Sequence, residues 1–311
     1  MSRIAFAAAA IGCGAVAACL YLAVLLGSPG ALILVYLTQL PLFLAGLWLG
    51  TGAAAVAGLS GCAVMLAASD MTAAALFAAL NTGPVILLVR QALLARRDAA
   101  AGIHWYPPGL LVAWLTALAL AGMAAALLFM GGPEGLHSAL TGTVAHALDR
   151  LTARPIPDRD TVAATIAAVV PGTIAMSWMV MAVVNASLAQ GLLVRFGANW
   201  RPSPDLAALT LPYWLAGLLA AAVAAIIAGG AARFVGINMM IALFVPFCLA
   251  GLAVLHTAAR RLAHPAPALI AFYTMSGIFG WPLLAVALIG LLENWLGLRR
   301  RLAVSGGTID G

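Results

Sequence analysis

The chain predicts an all-α fold: a polytopic transmembrane helical bundle of about 8–10 spans, with an interfacial amphipathic helix. Three observations predict it. The sequence is 65% hydrophobic and 8% charged, far too little charge to cover a soluble surface. Apolar runs recur from Arg3 to Arg301, many of them near the roughly 20 residues that cross a hydrocarbon core as helix. The arginines cluster at the ends of those runs, as the positive-inside rule expects. No polar stretch is long enough for a second soluble domain, so residues 1–311 read as one integral membrane domain.

The first span runs from about Ile4 to Leu26. Val16-Ala17-Ala18-Cys19 resembles a lipoprotein cleavage box, but Leu20 to Leu26 continue the run past the cysteine. That length exceeds a signal-peptide core, so an uncleaved helix is expected. Gly27-Ser28-Pro29-Gly30 is a turn signal. A second span covers about Ala31 to Leu49 and a third, rich in small residues, Gly52 to Ala68. Ser69-Asp70 breaks the pattern, and Asp70 suits the N-cap of a fourth span reaching Leu94. Arg96-Arg97-Asp98 form a charge cluster, and Tyr106-Pro107-Pro108 lead into a fifth span to Met130.

Residues 131–160 are the longest polar stretch and read as an extracytoplasmic loop. Within it Leu136, Leu140, Val144 and Leu148 recur at helical spacing, with His137, His146, Asp149 and Arg150 between them. This is the pattern of a helix lying on the membrane surface, ended by Pro155 and Pro157. Asp160 or Thr161 caps the next helix, Pro171-Gly172 kink it, and the sixth span continues to Val194. The seventh covers about Leu206 to Ile227, and Gly229-Gly230 with Arg233 form a turn. The eighth runs from Ile237 to Leu255, on to Arg260-Arg261. The last apolar run, Pro265 to Leu298, is interrupted by Gly280-Trp281-Pro282. It reads as a hairpin of two arms of about 17 residues, the lower limit for crossing, or as one tilted helix. Residues 302–311 read as a short disordered tail.

Orientation follows from arginine. With Arg3, Arg96-Arg97, Arg195, Arg201 and Arg260-Arg261 in the cytoplasm, the first eight spans alternate. A final hairpin then returns Arg299–Arg301 to the same side. This gives ten crossings, both termini cytoplasmic, in a bacterial inner membrane. Trp48, Trp105, Trp200, Trp214, Trp281 and Trp295 fall near predicted helix ends, where amphipathic rings sit at the headgroups.

Several function classes are disfavoured. The +6 charge comes from arginine alone, as the chain has no lysine. Its placement at helix ends explains it without nucleic acid. Cys13, Cys19, Cys62 and Cys248 lie inside apolar runs without a CxxC pair, so neither disulfides nor a metal site is expected. No metalloprotease, nucleophile-elbow or phosphate-loop motif is present, and no span holds two acidic residues. The reading is therefore a non-enzyme without cofactor or catalytic residue.

Polar groups within the spans mark the candidate positions. Gln39 precedes Pro41 in the second span, and Asn81-Thr82-Gly83-Pro84 interrupt the fourth. Asn185 and Gln190 lie in the sixth. Pro84 frees the carbonyl four residues back. Either neighbouring helices satisfy it, Gln39 and Asn185 being placed to do so, or these residues line a ligand cavity, as broken helices do in transporters. Glu293 reads as a carboxylate paired with an arginine of a neighbouring helix near the interface, or as a coupling group. Arg90 reads as a snorkelling side chain, and His256 sits near the cytoplasmic end of the eighth span. Two small-residue faces, Ala54/Gly58/Cys62 and Ala216/Ala220/Ala224, permit close helix approach, for internal packing or for docking a partner.

Four segments together resemble a known family. They are Trp105-Tyr106-Pro107-Pro108-Gly109, Ala189 to Gly197 (AQGLLVRFG), Arg201-Pro202-Ser203-Pro204-Asp205-Leu206, and Gly290 to Arg300 (GLLENWLGLRR). The chain is in this respect similar to the YybS-like bacterial membrane proteins, the domain-of-unknown-function family 2232, over nearly its whole length. The resemblance implies a multi-pass inner-membrane protein. It also implies a distant likeness to the substrate-capture (S) subunits of energy-coupling-factor transporters, which bind a small molecule and dock on other membrane subunits. It carries over no site residue. Two functional expectations stand: a small-molecule-binding, S-subunit-like membrane protein, and a scaffold docking other membrane proteins through small-residue helix faces.

Overall fold

The computed structural model describes residues 2–24, 30–98, 102–151, 157–206, 209–262, 264–299 and 301. The fold is an all-α polytopic bundle. Seven of its helices are long and apolar enough to cross a membrane among the described residues, and one bent pair passes the same test jointly. The chain forms two compact units: Met1–Leu111 with Val180–Pro204, and Val112–Met179 with Asp205–Gly311.

In the first unit, α1 (Arg3–Leu22) packs on α4 (Thr51–Ala68), and both pack on α3 (Gln39–Leu49). The α1–α4 contact runs through small residues: Gly14 of α1 lies against Ala57, Ser60 and Gly61 of α4, and the other buried residues of α1 are Ala10, Ala17 and Ala18. Without bulky side chains the backbones approach closely, which is how helices associate in a solvent as apolar as themselves. Between α1 and α3 lies α2 (Ala31–Tyr36). The fourth span is three pieces: α5 (Met71–Phe77), a π-helical turn at Ala78–Thr82, and α6 (Gly83–Ala92). Asp70 caps α5 as expected, its Oδ1 accepting from the Ala73 N–H at 2.8 Å. The second half of α10 (Val170–Arg195) also belongs here, with Met181, Ala182, Asn185, Ala189 and Gln190 buried along one stripe.

In the second unit, α12 (Gly230–Ala259) is the central element, packed by α11 (Trp214–Ala228) and α14 (Pro282–Leu296). Leu209, Leu211, Leu215, Leu243, Phe247 and Ala250 form its core with Val112 and Ala113 of α7 (Pro108–Phe129). The residues of α14 buried in the fold are Pro282, Val286, Gly290 and Glu293, one face at helical spacing. That face crosses α12 at Gly251: a Cβ built on Gly290 would lie 1.9 Å from the Phe247 carbonyl oxygen. Around both units large apolar side chains such as Leu59, Ile174, Leu188, Ile270 and Leu288 face outward, as a lipid solvent allows.

The amphipathic stretch is α8 (Pro133–Leu151), which packs on α9 (Arg159–Ala167). Leu136 and Ala145 are buried, with Leu140, Val144 and Leu148 half-buried on the same side. The outer side is tied by Arg159, whose Nε and Nη2 donate to Asp149 at 2.7 and 2.6 Å. That bidentate bond holds the Asp149 carboxyl below the usual carboxylate range.

Local details depart from expectation, each for a backbone reason. The second span is broken between Tyr36 and Gln39, because Pro41 has no N–H to return to Leu37; the Leu40 N–H turns to that carbonyl instead, at 3.1 Å. The cap before the sixth span is not Asp160 or Thr161. The helix begins at Arg159, after Asp158 in the left-handed region at φ 51°. The break there falls at Ala168–Val169, upstream of Pro171, where the missing N–H is felt. The seventh helix starts at Trp214, eight residues later than expected, since Pro212 disfavours helix at the residue before it. Arg233 lies inside α12 instead of in a turn. The last apolar run is two helices, α13 (Pro265–Phe279) and α14, bent by 115° at Gly280-Trp281, so no straight tilted helix forms. Arg96 and Arg97 sit on an unexpected β-hairpin, β1 (Ala95–Asp98) pairing antiparallel with β2 (Gly102–Trp105). The Gly27-Ser28-Pro29 turn, Pro155 and the tail at 302–311 lie outside the described residues.

The Gly290 contact gives a direct check. Gly290→Val should destabilise the detergent-purified protein by about 1–3 kcal/mol through overpacking. Gly277→Ala on the exposed α13, where an added Cβ meets nothing within 4 Å, should be neutral or slightly stabilising. Thermal unfolding midpoints of the two variants measure the difference.

Candidate functional site

The polar residues singled out inside the first unit are all buried: Gln39 and Asn185 are 0% exposed, Asn81 2%, Thr82 8% and Gln190 8%. Two helix breaks organise the first four. At the π-turn Ala78–Thr82 the Gly83 N–H reaches back to the Ala78 carbonyl. Pro84 has no N–H for Leu80, and Gln39 Nε2 donates to the Leu80 carbonyl at 3.1 Å. At the other break, between α2 and α3, Asn185 Nδ2 donates to the Tyr36 carbonyl at 2.6 Å and to the Met181 carbonyl at 2.7 Å. Asn185 therefore spends both its N–H groups, and Gln39 one, on backbone carbonyls near the middle of a span.

The other ends of these side chains are open. Gln39 Oε1, Asn185 Oδ1 and the adjacent Thr38 Oγ1 are buried without a hydrogen-bond partner among the described residues. Because the amide nitrogens face carbonyl oxygens, the free atoms must be the amide oxygens. Thr38 was not anticipated. As a single hydroxyl between a leucine and a glutamine it gave no signal until the break appeared.

Thr82 plays a packing part. Its methyl fills the space over Gly58 of α4, where a Cβ would come within 2.1 Å of it, and its hydroxyl lies 3.8 Å from Cys62 Sγ. The Ala54/Gly58/Cys62 face thus serves internal packing at Gly58 and Cys62. The Ala216/Ala220/Ala224 face differs: Ala220 and Ala224 are exposed.

Gln190 belongs to a separate latch. Its Nε2 donates to the Arg201 carbonyl at 2.9 Å, and Asn199 Nδ2 donates to the same oxygen at 2.8 Å. The Arg201 guanidinium, 5% exposed, donates to the Ala92 carbonyl at 2.8 Å, at the C-terminal end of α6. It also stands 5.8 Å over the Trp105 ring. A cation at a helix C-terminus is favoured by the helix dipole and the ring face, although burial pushes its pKa down. The sequence reading places Arg201 only as an edge marker. Its burial follows from the fold of the segment after α10. Arg90 is exposed, as a snorkelling side chain requires.

In the second unit Glu293 is 9% exposed and pairs with Arg299, Nε to Oε1 at 2.8 Å, while the Arg299 N–H donates to Oε2 at 3.2 Å. The expectation of an arginine on a neighbouring helix gives way to one on the same strand of chain. Gly297 in the left-handed region (φ 54°) turns the chain after α14 so that Arg299 folds back. His256 Nδ1 meets the Leu252 carbonyl at 2.8 Å, and its Nε2 meets the Tyr273 hydroxyl at 3.3 Å. Glu293 and His256 are each engaged in this local bonding.

A third amide completes the pattern. Asn238, 1% exposed, sits on α12 opposite the α9–α10 break. Its Oδ1 accepts from the Gly172 N–H, and its Nδ2 donates to the Ala168 carbonyl at 2.8 Å. Residues 168 and 172 are the two ends of the helical hydrogen bond that the break removes. One side chain replaces both partners. The signal for it is a lone asparagine within an apolar run.

Searches against family models, curated proteins and solved structures return no match. Asn238→Leu should leave a buried N–H and C=O unpaired and cost on the order of 3 kcal/mol. Hydrogen exchange at the Gly172 amide should rise with the loss of stability. Wild-type protection at that amide would refute the bridging role.

Proposed function

We propose that this chain is a non-enzymatic, multi-pass protein of the bacterial inner membrane that binds a small molecule, in a role like that of a transporter S subunit. The coarse part rests on the fold: the chain is a multi-pass helical membrane protein, in contact with lipid. The observation that supports binding is the group of buried oxygens at the helix breaks, Gln39 Oε1, Asn185 Oδ1 and Thr38 Oγ1. An unpaired polar atom in hydrocarbon costs several kcal/mol. A sequence that only needed to patch the Leu80 and Tyr36 carbonyls would gain from donors without open acceptors. Irregular backbone at membrane depth is a recurring setting for transporter sites. The YybS-like resemblance agrees with this reading.

Native mass spectrometry of the detergent-purified protein tests it. Wild type should release a co-purifying small molecule, and Gln39→Leu should lose it. Bare wild-type protein would favour the second reading, a scaffold docking other membrane subunits. The exposed Ala220 and Ala224 on α11 support that alternative.

The orientation proposed is both termini in the cytoplasm. Reporter fusions after Gly311 and near Gly131 should report opposite sides of the membrane. An outward-facing C-terminal fusion would remove the final hairpin crossing.

A further inference from the structure

We infer that the helix break at Leu37–Thr38 takes a small monovalent cation, an inference that rests on the small-molecule reading above and names its ligand class. The argument is one of polarity. Thr38 and Gln39 are consecutive residues at the break, and Asn185 is bonded at 2.6 Å to Tyr36, the last residue of α2. All three side chains belong to residues 0% exposed. Three of the four amide N–H groups are used, those of Asn185 on the Tyr36 and Met181 carbonyls and one of Gln39 on the Leu80 carbonyl. What remains without a partner among the described residues are two amide oxygens, which can only accept, and one hydroxyl. Acceptors dominate: an anion would be opposed by two amide oxygens and would find only the Thr38 hydroxyl and the second Gln39 N–H as donors. A ligand must bring positive charge or hydrogen-bond donors.

Charge decides the class further. The acidic residues of this unit are Asp70, exposed at the cap of α5, and Asp98 of the β-hairpin. Neither is at the break. A divalent ion leaves its hydration shell for carboxylates, and none is at hand. Neutral oxygens in a water-poor interior suit a single charge, whose field they stabilise as fixed dipoles. Two sources share that chemistry: an alkali-metal ion and a protonated primary amine.

Thermal unfolding of the full-length protein in detergent tests the inference, at constant ionic strength. The probes are sodium, potassium and methylammonium chlorides, with N-methylglucamine chloride as the bulky reference. Sodium, potassium or methylammonium should raise the midpoint saturably, by about 3 °C at ten times the half-saturating concentration. Response to sodium or potassium assigns an alkali-metal site; response to methylammonium alone assigns an amine site. Thr38→Val, which removes no hydrogen bond among the described residues, should keep the fold and raise the half-saturating concentration about tenfold. Equal midpoints in all four salts, an effect that follows chloride when gluconate replaces it, or an unchanged Thr38→Val response would overturn the cation site. If glycerol or urea then stabilises wild type but not Thr38→Val, the small-molecule reading survives without the cation. If nothing does, and native mass spectrometry finds bare protein, both fall.

Discussion

A backbone carbonyl released inside hydrocarbon must find a donor, because no water is there to supply one. The structure depends on how this chain meets that requirement. Its prolines break helices at three places near or within spans: Pro41 after the α2–α3 junction, Pro84 after the π-turn, Pro171 after the α9–α10 junction. At each place a side-chain amide from another segment approaches the damaged ladder. Asn185 supplies Tyr36, Gln39 supplies Leu80, and Asn238 supplies both Ala168 and Gly172. An amide suits this work because it carries a donor and an acceptor without charge, avoiding the larger desolvation cost of an ion.

The three repairs are not equivalent in how fully the side chain is used. Asn238 is fully used: its oxygen accepts and its nitrogen donates twice, to Ala168 and to Phe234. It closes a break and leaves nothing over. Gln39 and Asn185 mend their breaks with nitrogen only, and their oxygens, like the Thr38 hydroxyl, have no partner among the described residues. Both kinds of repair satisfy the backbone. Only the second leaves acceptors without a partner among the described residues.

The spans were legible from sequence because apolar length and arginine placement are one-dimensional signals. Asp70 as a cap, the helix at 133–151 and the interruption at Asn81 to Pro84 follow from local residues. What was not legible depends on residues meeting across the fold. Gln39 is one of several polar residues in apolar runs until it is seen 3.1 Å from Leu80. Arg201 resembles the other edge arginines, yet it is buried against Ala92 and Trp105. The hairpin at 95–105 is short and carries two arginines, so it lacks the alternation that marks a strand. Helix starts shifted wherever a proline acts on the residues before it, as at Pro212 and Pro171.

Charge follows the same economy of burial. Arg201 and Glu293 are the charged residues held most deeply among those described, and each sits at the end of a helix. Arg201 lies on the carbonyl end of α6, and Glu293 lies one turn before the Gly297 reversal of α14. Both are met by groups that the chain ends themselves bring: a terminal carbonyl for the cation, a folded-back arginine for the carboxylate. The middle of the spans is left to neutral amides and hydroxyls. This division keeps the buried charges of Arg201 and Glu293 at helix ends and leaves neutral amides and hydroxyls within the spans.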